Sequence, residues 1–95
     1  MILIEKEKEV IKINGHAMYD DFGKDIVCAS VSSIIYTSVN GILSFDSKSI
    51  EFIDNKHMEI RIKKNTKEVE VLIQNMFNLL EELEREYPKN LKIIK

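Results

Sequence analysis

One cysteine stands among 95 residues, with two histidines, one proline, three glycines and no tryptophan. A lone cysteine makes no internal disulfide, which excludes a disulfide-stapled scaffold and suits a reducing compartment. One Cys and two His also fall short of the usual four-ligand structural zinc site, so neither a metal nor a cofactor is expected. Charge of one sign is missing too. Fourteen basic and sixteen acidic residues give a net charge of −2, spread along the chain with no basic patch, and direct nucleic-acid binding is not expected. The opening MILIEKEKE has too short an apolar run for a signal peptide, and no run approaches about 18 apolar residues. The expectation is a cytoplasmic protein with no membrane partner.

With 44% hydrophobic and 32% charged residues, what remains is an ordinary globular composition rather than a disordered one. The length is that of one domain over residues 1–95. Residues 2–5 (ILIE) and 10–14 (VIKIN) read as strands joined by KEKE, a link without the Gly or Asn that marks tight hairpins. Residues 15–23 lose all periodicity and read as a loop between two glycines. From about Asp25 to Leu43, apolar residues at Val27, Val31, Ile34, Ile35, Val39, Ile42 and Leu43 follow helical spacing. The other face is small and weakly polar (Ala29, Ser30, Ser32, Ser33, Thr37, Ser38), and no charge falls between Asp25 and Asp46. Such a helix is expected to be covered on most sides, as the central helix of the domain or with its small face against a second subunit.

SIEFID (49–54) and HMEIRIKK (57–64) alternate cleanly about a turn at Asp54-Asn55-Lys56, which predicts an antiparallel hairpin with one wet face. Asn65-Thr66-Lys67-Glu68 resembles a capping box. The helix after it runs to about Tyr87, with Val69, Leu72, Ile73, Met76, Leu79, Leu80 and Leu83 as its buried stripe, and Pro88 stops it. LKIIK (91–95) supplies a last strand. The order ββαββαβ predicts an α+β two-layer sandwich, two helices on a mostly antiparallel sheet.

Chemistry concentrates in GHAMYDDFGKDIVCAS, residues 15–30. His16 follows a strand end and Cys28 lies near the third position of the first helix. A helix N-terminus stabilises a thiolate through unpaired N–H groups and the positive end of the dipole. A nearby imidazole can take the thiol proton, giving an activated nucleophile. The same N–H groups can form an oxyanion hole. Asp25 either orients His16 or only caps the helix, and Gly15 and Gly23 allow the loop to move over a bound peptide. A single cysteine serves equally well as a small core residue, so the residue pattern alone leaves both readings open.

The residues Gly15-His16-Ala17, Gly23, Asp25-Ile26-Val27-Cys28-Ala29 and Val31-Ser32 resemble the signature of the bacterial ribosomal-processing cysteine proteases. The similarity extends more weakly to Ser38-Val39-Asn40 and to the late acidic helix ending in Glu-Tyr. A shorter, glycine-free link between the first two strands departs from that family. The resemblance implies a homodimeric α+β endopeptidase that removes the N-terminal extension of a large-subunit ribosomal protein, number twenty-seven, after a hydrophobic motif containing aromatic residues. It implies Cys28 as nucleophile and His16 as proton acceptor, with Asp25 and Ser32 at further motif positions. Gly15, Tyr19, Phe22, Gly23 and Ser32 are then candidates to bind substrate, although Tyr19 and Phe22 could equally anchor the loop. His57 reads as a surface residue. The competing expectation is a non-catalytic ribosome-associated module that holds a peptide, or aids assembly, without cutting.

Overall fold

The computed structural model describes residues 1–15 and 25–95. Its elements run β1 (Ile2–Glu7), β2 (Val10–Asn14), α1 (Ile26–Phe45), β3 (Ile50–Asp54), β4 (Met58–Ile62), α2 (Lys67–Glu86) and β5 (Leu91–Ile94). This is the expected ββαββαβ order. The strands form one sheet in the order β3-β4-β2-β1-β5. Three pairings are antiparallel, and β5 joins β1 in parallel, with Ile2 opposite Leu91. The sheet is therefore mixed but mostly antiparallel.

Alternation decides which face of the sheet is covered. Ile2, Ile4, Ile11, Ile13, Ile50, Ile60 and Leu91 are buried, and they join the buried residues of both helices in one cluster. Side chains two apart along a strand share a face, so each strand turns one alternate set, mostly isoleucine, to the helices and the other set, charges together with Ile53 and Ile94, away from them. On the wet face Arg61 bonds Glu59 and lies 3.7 Å from Glu51, and Lys63 lies 3.5 Å from Glu51. Exposed pairs of this kind contribute at most about 1 kcal/mol each. They set which face is wet more than they stabilise it.

The KEKE link closes as a two-residue turn. Glu7 pairs with Val10, and Lys8 takes φ of 56°. Hairpin turns need positive φ because it matches the strand twist. Here a lysine adopts it in place of the usual Gly or Asn, with its carbonyl accepting from Lys6 Nζ at 3.0 Å.

α1 packs Val27, Val31, Ile35, Val39 and Ile42 into the core. It is long and apolar enough to cross a membrane by length and composition, at 20 residues and mean hydropathy 1.6, and in this fold its buried stripe packs into the core while 28% of that apolar stretch is buried. The expected covering on most sides is not met within a single chain, because Ala29, Ser33, Thr37 and Asn40 are exposed. Three hydroxyls on this side are turned back onto the helix: Ser30, Ser38 and Ser44 each donate to the carbonyl four residues earlier at 2.7 Å.

α2 buries Val69, Ile73, Met76, Phe77 and Leu80. Phe77 thus joins the stripe, while Leu79 is 42% exposed. Leu79 sits at the stripe's margin, on a groove shared with Ile26, Ile34 and Leu83. Thr66 caps α2 by accepting from the Val69 N–H at 3.3 Å. Tyr87 closes its far end by donating its N–H to Leu83.

Candidate active site

The start of α1 is fixed by Asp25. Its backbone is extended, and its Oδ1 accepts from the Val27 N–H at 2.9 Å and the Cys28 N–H at 3.0 Å. Two of the four orphan donors at the helix N-terminus are satisfied this way. Val27, fully buried, anchors the same turn in the core. Cys28, one residue on, is half-buried and packs against the core margin without being part of it.

Cys28 opens onto a cleft of about 290 Å³. Its floor includes Ile2, Ile13 and Val31. Ser32 and Tyr36 continue the wall on α1, and Asp54, Asn55, Lys56, His57 and Met58 form the opposite wall from the β3–β4 turn. Gly15 borders the cleft at the end of β2, with φ of 91°. A Cβ at Gly15 would sit 2.3 Å from the Met1 carbonyl oxygen. Only glycine lets the chain leave β2 here, because both the positive φ and the contact exclude a side chain.

At the far end of the cleft, the Tyr36 hydroxyl donates to the Asp54 carboxylate. The Tyr36 ring meets Phe52 edge-on, with centroids 5.6 Å apart and planes at 85°. The hydrogen bond to Asp54 holds the Tyr36 phenol above its ordinary pKa, helped by slight burial and by the nearby negative charge.

The sequence-expected residues divide as follows. Gly15, Cys28 and Ser32 come together on one cleft, and Asp25 caps the helix that presents Cys28. His16, Tyr19, Phe22 and Gly23 lie outside the described residues. The N–H groups of Val27 and Cys28, expected as oxyanion donors, already bond Asp25. An oxyanion would have to compete with that carboxylate for them. His57, read as a surface residue, is exposed and also lines the cleft. Sequence reasoning missed Tyr36 and the β3–β4 turn as parts of the site. The recurrence of 28, 32 and 36 at every fourth position was the signal that could have found Tyr36.

Fold and site together define a class: a small α+β domain that presents one cysteine, in a capped first helical turn, to a surface cleft. The comparisons make it specific. The family model described as cysteine protease Prp matches residues 2–92. The ribosomal processing cysteine protease Prp of Staphylococcus aureus is 34% identical over 98 residues, covering 97% of this chain and 92% of that protein. That of Mycoplasma genitalium is 31% identical over 96 residues, covering 98% and 94%. The crystal structure of the S. aureus protease with a covalently linked product peptide superposes with a TM-score of 0.88 at 29% identity, over 99% of this chain and 98% of that one. The chain belongs to the Prp family of cysteine proteases.

Proposed function

We propose that the protein is a cytoplasmic endopeptidase that removes the N-terminal extension of a large-subunit ribosomal protein, number twenty-seven, with Cys28 as nucleophile and His16 as proton acceptor. Cys28 Sγ gives its proton to the His16 imidazole and attacks the scissile carbonyl carbon. The tetrahedral intermediate collapses with C–N cleavage, and the imidazolium returns the proton to the leaving amine. Water, deprotonated by the same imidazole, then attacks the thioester, releasing the carboxyl product and restoring the thiol. Asp25 holds Cys28 at the helix start, and Ser32, one turn on, borders the bound peptide.

One observation carries this reading. Cys28 faces a peptide-sized cleft at the start of a capped helix, in a fold shared with a relative whose structure holds a covalently linked product peptide. The test is incubation with a synthetic peptide spanning the extension junction of that ribosomal protein. Wild-type protein cleaves it and Cys28→Ala does not; cleavage surviving in Cys28→Ala overturns the assignment. Iodoacetamide should alkylate Cys28 rapidly in the native protein, and resistance to alkylation would mark it as an inert core residue.

The same reading includes a homodimer. Its support is the uncharged exposed face of α1 beside the groove where Ile26 is 50% and Leu79 42% exposed, apolar residues rimmed by Glu82 and Glu86 that a second copy would cover. Light scattering at micromolar concentration should give the mass of two chains. A monomer mass rejects the dimer.

A further inference from the structure

The cleft extends well past the reacting thiol. Cys28, Ser32 and Tyr36 share one face of α1, and at 1.5 Å rise per residue Tyr36 lies about 12 Å along the axis from Cys28. An extended peptide advances about 3.3 Å per residue. The distance from Cys28 to Tyr36 therefore matches three or four residues of substrate.

The wall at that distance is held in place. The Tyr36 hydroxyl bonds Asp54 at the end of β3, and its ring packs on Phe52 of the same strand. The turn beyond Asp54 closes on itself, with the Asn55 N–H donating to the His57 carbonyl at 3.0 Å. The Tyr36 ring remains 45% exposed, with half-buried Met58 lining the same cleft. This presents an apolar surface rimmed by Asn55, Lys56 and His57, whose polar groups suit a peptide backbone.

We propose that Tyr36 and the β3–β4 turn tied to it through Asp54 form a remote specificity subsite, which takes an apolar side chain of the substrate three or four residues from the scissile bond. The inference rests on Cys28 being the nucleophile. Binding there pulls the peptide along the helix and sets which bond reaches Sγ. Tyr36 itself takes no part in the bond chemistry. The Asp54 bond sets the ring's orientation and the position of the turn.

The test uses steady-state cleavage of the extension-junction peptide and of versions with glycine at the third or fourth residue on either side of the cut. Tyr36→Ala should raise KM for the intact peptide about tenfold with kcat within about twofold. Glycine at the recognised residue should raise the wild-type KM similarly and remove the difference between wild type and Tyr36→Ala. Tyr36→Phe and Asp54→Ala should each raise KM severalfold, and their combination no further, because each breaks the same bond. Asp54→Asn, which keeps a neutral acceptor for the Tyr36 hydroxyl, should raise KM less than Asp54→Ala. A merely structural role would change all peptides alike. Unchanged KM in Tyr36→Ala, or an equal rise for every peptide, overturns the inference alone. A wild-type protein that leaves the peptide intact overturns the endopeptidase reading, and this inference with it.

Discussion

Asp25 offers the sharpest perturbation, because two roles give opposite patterns in two conservative variants. The structure gives it two hydrogen bonds to the helix start, at 2.9 and 3.0 Å, and α1 has no other acidic residue in its first turn. Removing a cap costs about 1–2 kcal/mol, and losing its negative charge at the positive end of the dipole adds about 0.3–1 kcal/mol. Asp25→Ala should thus lose about 2 kcal/mol. In a domain of this size each kcal/mol moves Tm by about 4–8 °C, so the drop should be about 8–16 °C. Asp25→Asn keeps an accepting oxygen and should lose under about 1 kcal/mol, the dipole share alone. Thr66→Ala in α2 is an internal control. Its single cap bond is longer, at 3.3 Å, and Glu68 and Glu70 still face that dipole, so it should cost about 0.5–1 kcal/mol. The assay is urea and thermal unfolding of all three variants, with peptide cleavage measured in parallel. On the capping account Asp25→Asn retains cleavage within about threefold. Equal destabilisation by Asn and Ala refutes the capping account. A loss of about 10⁴ in kcat for Asp25→Asn, at unchanged Tm, would instead show that the carboxylate orients the base.

Other consequences are equally direct. Gly15→Ala should destabilise by at least about 2 kcal/mol in urea unfolding, since positive φ alone costs about 1–2 kcal/mol and the new Cβ would overlap the Met1 carbonyl. Lys8→Gly should stabilise by up to about 1 kcal/mol, because the turn already demands the φ that glycine adopts freely; a loss of stability would refute that. Tyr36 should ionise above the ordinary phenol range, seen as absorbance at about 295 nm missing from Tyr36→Phe, and Asp54→Ala should return it toward about 10. The sign follows: with the folded pKa raised, the stabilisation is complete below about pH 10 and is lost as pH rises through the folded value. Wild type should therefore lose more stability than Tyr36→Phe across that window.

Much of the fold was legible because single-chain periodicity is enough to set it. The alternation in Ile50–Asp54 and Met58–Ile62 marked the hairpin, and the stripe at Val69, Ile73, Met76 and Leu80 marked α2. Asp25 before an apolar run located the first residue of α1. What was not legible depended on pairs distant in sequence. The tie from Tyr36 to Asp54 joins positions eighteen apart, and no local pattern announces it. The same holds for His57, whose place opposite Cys28 follows from how β4 pairs with β2 rather than from its own neighbours. The uncharged side of α1 was legible only as a choice between burial in the domain and a second subunit: an absence of charge says that a face is tolerated uncharged, not what lies against it, and a single chain leaves Ala29, Ser33 and Thr37 exposed.

The parallel pairing of β1 with β5 sets the order in which this protein can become complete during its own synthesis. β1 leaves the ribosome well before its partner along that edge, because α1, α2 and three strands lie between them in the chain, and Ile2 must wait for Leu91. Until Leu91–Ile94 arrives, Ile2 and Ile4 lack part of their core and β1 offers an unpaired backbone to any passing strand. Once it docks, the Ile93 N–H is taken by Glu84 of α2 at 2.8 Å, so the new rim is partly covered. Chains stalled or clipped before Leu91 should aggregate rather than fold loosely.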